Sequence, residues 1–385
     1  RHQVPFTVMV IYLDHAATTP MRPEAIEAMM PYLDGVYANP SGSHRFARQA
    51  RQAIDEARDT VAEVLGCKAG EVIFTSGGTE GDNSAVLGAV RKRGGKALCS
   101  AAEHHAVLHC VEHLHGHVVR TNVLGSIDID ALTETLTGAS ANDPISVVSV
   151  MAVNNEVGTV TPLREVAKIV RQHAPEALLH SDAVQAACWS DLREISKLVD
   201  VMTLSAHKFG GPKGVGIMMT RLGKELEPLI LGGGQERDRR SGTHNVAGIV
   251  ASATALRITD TNRQAEVERV GKLRDRLVDD VRAAVPDVLE TVPREHRVAG
   301  IAHLCIKGCE SEALLYLLDE AEVCASAASA CASGAMEPSH VLQAMGVERG
   351  WSMGALRLSL GHNTHDDDID RAIEVLVGAI HKLRR

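Results

Sequence analysis

Apolar positions along this chain fall into two alternating spacings. Phe46, Ala50, Ile54, Ala57, Val61 and Val64 recur every three or four residues and predict an amphipathic helix that stops at Gly66. Short, largely apolar runs at Val72–Thr75, Ala97–Ser100, Val118–Val123, Ile145–Val153, Ala177–His180, Val201–Leu204 and Val215–Met219 predict buried strands. Ile11–Asp14 reads as a further short strand. Pro23 opens a helix to Leu33, Ala38–Ser43 is too rich in turn formers to be anything but a loop, and Ser76-Gly77-Gly78-Thr79-Glu80 turns a strand into a helix reaching about Arg93. Strands alternating with helices predict an α/β fold, a mostly parallel sheet covered on both faces. From about Thr261 the pattern changes. Val267, Val270, Leu273, Leu277 and Val281 mark a long helix, and the rest reads as a smaller α+β unit. The expected division is a large unit over 16–258 and a small one built from 9–15 and 259–385. Residues 1–8 are set aside as expression-derived or a local extension.

A chain of 385 residues accommodates two such units with a large core. With 45% hydrophobic and 23% charged residues it belongs with ordinary globular proteins. The net charge of −9 gives no electrostatic footprint for direct nucleic-acid binding. No apolar run approaches the roughly 18 residues of a membrane helix, and no secretory leader is visible. Eight scattered cysteines form no disulfide framework and point to a reducing, cytoplasmic compartment. Cys305 and Cys309 are too isolated for a zinc site and read as small buried hydrophobes.

In open parallel sheets ligands bind beyond the carboxyl ends of the strands, and reactive residues collect there. Lys208 follows the strand Val201–Leu204 and precedes the turn Phe209-Gly210-Gly211-Pro212-Lys213-Gly214. Held against an apolar sheet edge, it is desolvated, which favours the neutral amine needed for a Schiff base. Gly77, Gly78 and Thr79 sit between a strand and a helix, where free N–H groups and the helix dipole suit a phosphate. Asp182 ends another strand, either as a helix cap or as partner to a cationic ring nitrogen. Asn154 and Asn155 offer oriented amides or an ordinary turn. A phosphate cradle, an acid, amides and a Schiff-base lysine at one sheet edge are what pyridoxal 5′-phosphate requires. His104, His105, His109 and His113 lie beside Cys110, a spacing compatible with solvated or capping histidines as well as with function; no metal site is expected.

The stretches Tyr12-Leu13-Asp14-His15-Ala16-Ala17-Thr18-Thr19-Pro20, Phe74-Thr75-Ser76-Gly77-Gly78-Thr79-Glu80, Val153-Asn154-Asn155-Glu156-Val157-Gly158, Ser205-Ala206-His207-Lys208, Arg240-Ser241-Gly242-Thr243, Ser329-Ala330-Cys331 and Arg357-Leu358-Ser359-Leu360-Gly361 strongly resemble the cysteine desulfurase family. The resemblance runs from about Val10 to the C-terminus, with the motifs in the family's order. It implies a fold-type I, class V aminotransferase architecture, a homodimer, and conversion of L-cysteine to L-alanine with the sulfur held as an enzyme persulfide.

By position, the resemblance makes Lys208 the lysine that bonds the cofactor. It pairs Asp182 with the ring nitrogen and sets Asn155 and Gln185 at the ring hydroxyl. Gly78, Thr79, Ser205 and His207 hold the phosphate, with Thr243 reaching it from the partner subunit. His104 stacks on the ring and handles protons, Arg357 and Asn39 clamp the substrate carboxylate, and Asn155 also contacts the substrate. Cys331, in the small unit, is the nucleophile; Ala328 stands where the family usually has glycine, which implies a stiffer segment. The stretch from His362 to Arg385 lacks the tail with which housekeeping members dock the iron–sulfur scaffold, so the expected sulfur acceptor is a dedicated protein, such as one serving DNA phosphorothioation or a cofactor pathway. A selenocysteine lyase or aminotransferase of the same fold would share Lys208 and Asp182 without needing Cys331, and a non-catalytic assembly protein would need neither.

Overall fold

The computed structural model describes residues 10–139, 143–327 and 338–385. In chain order its main elements are β1 (Ile11–Tyr12), α1 (Pro23–Met29), α2 (Pro31–Asp34), α3 (Arg45–Leu65), β2 (Val72–Thr75), α4 (Gly78–Arg93), β3 (Lys96–Ser100), α5 (His105–His113), β4 (His117–Val119), α6 (Ile129–Gly138), β5 (Ile145–Ser149), α7 (Leu163–His173), β6 (Leu178–Asp182), α8 (Leu192–Leu198), β7 (Val201–Ser205) and β8 (Gly216–Thr220). There follow α9 (Val246–Ala284), β9 (Val288–Glu290), β10 (Ile301–Ile306), α10 (Ser311–Glu320), β11 (Val323–Cys324), α11 (His340–Ala344), α12 (Arg349–Ser352), β12 (Ala355–Ser359) and α13 (Asp366–Leu383).

A seven-stranded sheet in the order β2-β8-β7-β6-β5-β3-β4 forms the centre of the molecule. Neighbours from β7 through β6, β5 and β3 to β4 run parallel, whereas β8 is antiparallel to both β7 and β2. The two reversals cancel. The carboxyl end of β2 therefore lies at the same edge as those of β5, β6 and β7, which brings the glycine turn and the lysine together. Helices cover both faces, so every residue of β5, β6, β7 and β8 is buried. That burial explains why these strands read as continuous apolar runs.

A second sheet, β12-β10-β9, is antiparallel, and β1 pairs in parallel with β11. It has its own core of Leu273, Leu277, Val281, Leu304, Leu314, Leu356 and Leu376. The long helix differs from its expected extent: α9 spans 39 residues from Val246, contributing Ile249 and Leu256 to the large core and Val270 to Val281 to the small one. Position 258/259 therefore lies inside a continuous helix. The strand expected over Val118–Val123 is shorter, ending at Val119, and Thr121 turns to bridge Ile127. Pro31 splits the expected Pro23–Leu33 helix in two. Cys305 and Cys309 are both buried, and among the described residues no cluster of ligands suited to a metal occurs. No described helix is long and apolar enough to cross a membrane.

Candidate active site

The loops after β2, β3, β5, β6 and β7 enclose a cavity of about 640 Å³. Its walls include Gly78, Thr79, His104, Asn155, Asp182, Gln185, Ser205, His207, Lys208 and Arg357, ten of the positions expected from the sequence. Thr243 and Asn39 lie elsewhere; both are exposed, and the Asn39 Oδ1 accepts the Ser41 N–H at 3.0 Å. Cys331, with Ala328, lies outside the described residues.

Lys208 closes a short 3₁₀ turn that begins at Ala206, directly after β7. Its Nζ donates to the carbonyls of Ala16 at 2.5 Å and Ala17 at 2.7 Å, so the backbone after β1 forms part of the wall. Burial, then the Arg357 guanidinium, bring the amine down to about 8, against the pull of Asp182 and Asp14. Near neutrality roughly one lysine in ten is then uncharged, several hundred times the fraction of an ordinary lysine.

Asp182 is 5% exposed, and its Oδ1 accepts the Val184 N–H at 2.9 Å. Burial raises its pKa, and His104, the Val184 N–H and Lys208 oppose the rise. A cationic N–H delivered to this carboxylate would offset the cost of burying its charge. His104 caps α5: its Nδ1 accepts the Ala106 N–H at 3.1 Å, which puts the proton of the neutral ring on Nε2. Burial lowers its pKa, Asp182 raises it, and Lys208, His340 and His109 lower it further.

The glycine turn forms a cradle at the start of the 16-residue helix α4, whose first N–H groups have no partner within the helix. A side chain at Gly78 would put its Cβ 2.8 Å from Val184 Cγ2, so the backbone comes close only because Gly78 has none. Glu80 accepts the Ser76 N–H at 2.9 Å and pairs with Arg240 at 2.8 Å, which holds the turn from outside. Beside it, His207 lies 3.1 Å from Thr18 Oγ1 and has a pKa brought to about 4 by burial, Lys208 and Lys213. It is therefore a neutral hydrogen-bonding group at physiological pH. Opposite, Gln185 Nε2 donates to Ala16 O at 2.8 Å. Arg357 donates from Nη2 to Asp14 at 2.7 Å and from Nη1 to Asn155 O at 2.8 Å, leaving a buried Nε without a partner. Amide cradle, neutral imidazole, buried carboxylate and depressed lysine fit a phosphorylated pyridine aldehyde, so the donor set suits pyridoxal 5′-phosphate.

Several wall residues were not legible in the chain. Ser76, Asp82 and Lys213 line the cavity; outside its lining, Asp14 is held by Arg357, and Glu103 is buried within electrostatic reach of Asp182. Asn154, by contrast, is structural, its Oδ1 accepting the Glu156 and Val157 N–H groups and its Nδ2 donating to Ala102 O.

Residues 11–372 match the aminotransferase class-V family. An IscS-like cysteine desulfurase of Mycobacterium tuberculosis is 44% identical, the match covering 97% of each chain. Among solved structures, a NifS-like protein superposes with a TM-score of 0.89 at 32% identity, covering 97% of this chain and 100% of the other. DndA from Streptomyces lividans superposes with a TM-score of 0.73 at 32% identity, covering 90% and 99%.

Proposed function

The chain belongs to the aminotransferase class-V family and is a pyridoxal-phosphate-dependent cysteine desulfurase, and from that premise we propose that the cavity around Lys208 is its active site and that Cys331 carries the sulfur. The observation that carries this assignment is that the Lys208 amine at the mouth of β7 shares one cavity with the buried Asp182 carboxylate and the Gly77–Thr79 turn. When bound, the cofactor supplies an electron sink for the substrate α-carbon.

The protein's own residues do the rest. Lys208 is the amine that would hold the cofactor, and its Nζ would take the substrate α-proton and return a proton to carbon. Asp182 keeps the ring nitrogen cationic, the amides of Gly78 and Thr79 with Ser205 and His207 hold the phosphate, and Asn155 and Gln185 orient the ring hydroxyl. His104, lining the same cavity with its proton on Nε2, would stand against the bound group and pass a proton through Nε2. The substrate carboxylate would take the place of Asp14 on Arg357 Nη2, with Asn39, which lies outside this cavity wall, brought in as a second contact. The Cys331 thiolate attacks the substrate sulfur; the S–S bond forms as the carbon–sulfur bond breaks, and the carbon keeps the electron pair until it is protonated to give alanine.

Four further parts belong to this reading. The enzyme acts as a homodimer, a reading supported by Thr243, which is exposed and absent from the wall of its own cavity. The large unit is 16–258, and 9–15 with 259–385 form the small one, in keeping with two separate apolar cores. The compartment is the cytoplasm, in keeping with the seven described cysteines, which are all free thiols. The acceptor is a protein that takes persulfide sulfur from Cys331. Likeness to the IscS-like relative supports a general sulfur supply, and likeness to DndA supports the dedicated route of DNA phosphorothioation. Labelled persulfide transferred to an iron–sulfur scaffold, or instead to a phosphorothioation protein alone, separates the two.

The first test is alanine and persulfide formation from L-cysteine by wild type and Cys331→Ala, each shown to hold the cofactor. Loss of both products in the variant is expected. Full activity in the variant would overturn the nucleophile and favour a selenocysteine lyase or aminotransferase.

A further inference from the structure

A set of buried polar groups that the proposed chemistry leaves unused reaches the wall of the cavity at Asp82. Asp82, on the second turn of α4, is 1% exposed, and its Oδ1 has no hydrogen-bond partner. Next to it, His180 of β6 and Thr203 of β7 are fully buried, with His180 Nε2 at 3.1 Å from Thr203 Oγ1 and 3.6 Å from Asp82 Oδ1. On the other side of the ring, His180 Nδ1 lies 2.8 Å from Ser149 Oγ of β5. The run Ser149–His180–Thr203–Asp82 thus crosses three strands and ends on the helix that carries the phosphate cradle. Gly81 makes this approach possible: a Cβ there would sit 2.5 Å from Thr203 Cγ2.

The titratable groups facing Asp82 are Asp182 and His180 on β6, Glu103 between β3 and α5, and Cys110 on α5. Two of these are acids, and Glu103 is itself fully buried with one oxygen unpartnered. The one group that could carry a positive charge is His180, and burial lowers it to about 3. An anion at Asp82 would therefore have the Thr203 hydroxyl as its one favourable partner, in a dry interior beside the acids Asp182 and Glu103 and with no cation to offset it, which disfavours the charged form.

We propose that Asp82 is a positioning residue that works as an uncharged acid: it closes the buried Ser149–His180–Thr203 run, locks the first turns of α4 onto the strand that ends in Asp182, and leaves Asp182 as the anion beneath the ring. This rests on reading the cavity as the cofactor site, although the charge state of Asp82 can be tested without any cofactor.

Wild type, Asp82→Asn and Asp82→Ala are stripped of cofactor and melted from pH 5 to pH 8. A carboxyl that stays protonated in the fold binds more protons folded than unfolded across this range, so its contribution declines as pH rises from the unfolded value of about 3.9 toward the folded one. Asparagine has no such dependence. The midpoint of Asp82→Asn relative to wild type is therefore expected to climb by several degrees between pH 5 and pH 8. A flat difference, or one that falls with pH, would mean an anion with a partner, and the proposal would be wrong. In the second arm, cofactor affinity followed by absorbance should drop about tenfold or more in Asp82→Ala and far less in Asp82→Asn, which keeps the shape and hydrogen bonding of the neutral acid. Equal losses in the two variants would also overturn it. Should wild type itself fail to take up the cofactor, the cavity assignment fails, and the melting series still decides the state of Asp82.

Discussion

Lys208 is surrounded by groups that pull its proton in opposite directions, and burial with Arg357 prevails over Asp182 and Asp14. Because only the neutral amine attacks an aldehyde, the rate at which stripped protein takes up pyridoxal phosphate should rise about tenfold per pH unit below 8 and level off above it. Stopped-flow absorbance from pH 6.5 to 9.5 measures this; a plateau that begins only near the ordinary lysine value of about 10.4 would contradict the environment described. Lys208→Arg, always charged, should show no covalent uptake at any of these values. Lys208 and Asp182 were readable from the chain because each ends a buried strand, where a lone charge stands out against apolar neighbours. Asp82 was not. In Glu80-Gly81-Asp82-Asn83 it looks like part of a solvated helical turn, and the burial of Asp82 itself, with Gly81 set closely against Thr203, shows that this face of α4 is an inner one. Asp14, likewise, gains its meaning from Arg357, 343 residues later in the sequence.

At the level of elements, the site depends on how closely α4 lies against β6 and β7. Gly81→Val would add three carbons where even a Cβ meets Thr203 at 2.5 Å, an overpacking expected to cost about 1–3 kcal/mol and to weaken cofactor binding by displacing the cradle. Denaturant melts together with cofactor titration check both; a variant as stable as wild type with unchanged affinity would show that the helix can shift freely. Strand order could not be read from apolar runs, since a run records burial and carries nothing about which neighbour it pairs with. The antiparallel placement of β8 between β2 and β7 was invisible for that reason. The early start of α9 was hidden differently. Ala247, Gly248, Ala251, Ser252, Ala253 and Ala255 are buried but small, so this part of the helix packs closely while giving almost no apolar periodicity. The edge strand β4 was overestimated because Val118 and Val123 suggest a strand, yet both are exposed.

Across the molecule as a whole, the loop bearing Arg240 and Thr243 is fixed to the large core by Glu236. Glu236 accepts two bonds from Arg58, at 2.8 and 2.7 Å, and others from Phe74 N–H and His244 Nε2. Although burial works against its charge, His244, Arg58 and Phe74 bring its carboxyl down to about 2. Its contribution is therefore present above the unfolded carboxyl value of about 4.3 and is lost as pH falls from there toward 2. Glu236→Gln should cost about 3 kcal/mol at pH 7, and the deficit should shrink below pH 4; urea melts at the two pH values test this, and a deficit independent of pH would rule out the charged role. Helix α9 adds a constraint of another kind. At 39 residues it is about 58 Å long, and it supplies side chains to both cores from one unbroken hydrogen-bond ladder. Neither core can melt without stripping half of that helix of its packing, so the heat stability of each is shared with the other. A sequence change deep in the small core thus acts on the cofactor end of the protein with no contact to it, and selection on either half is selection on both.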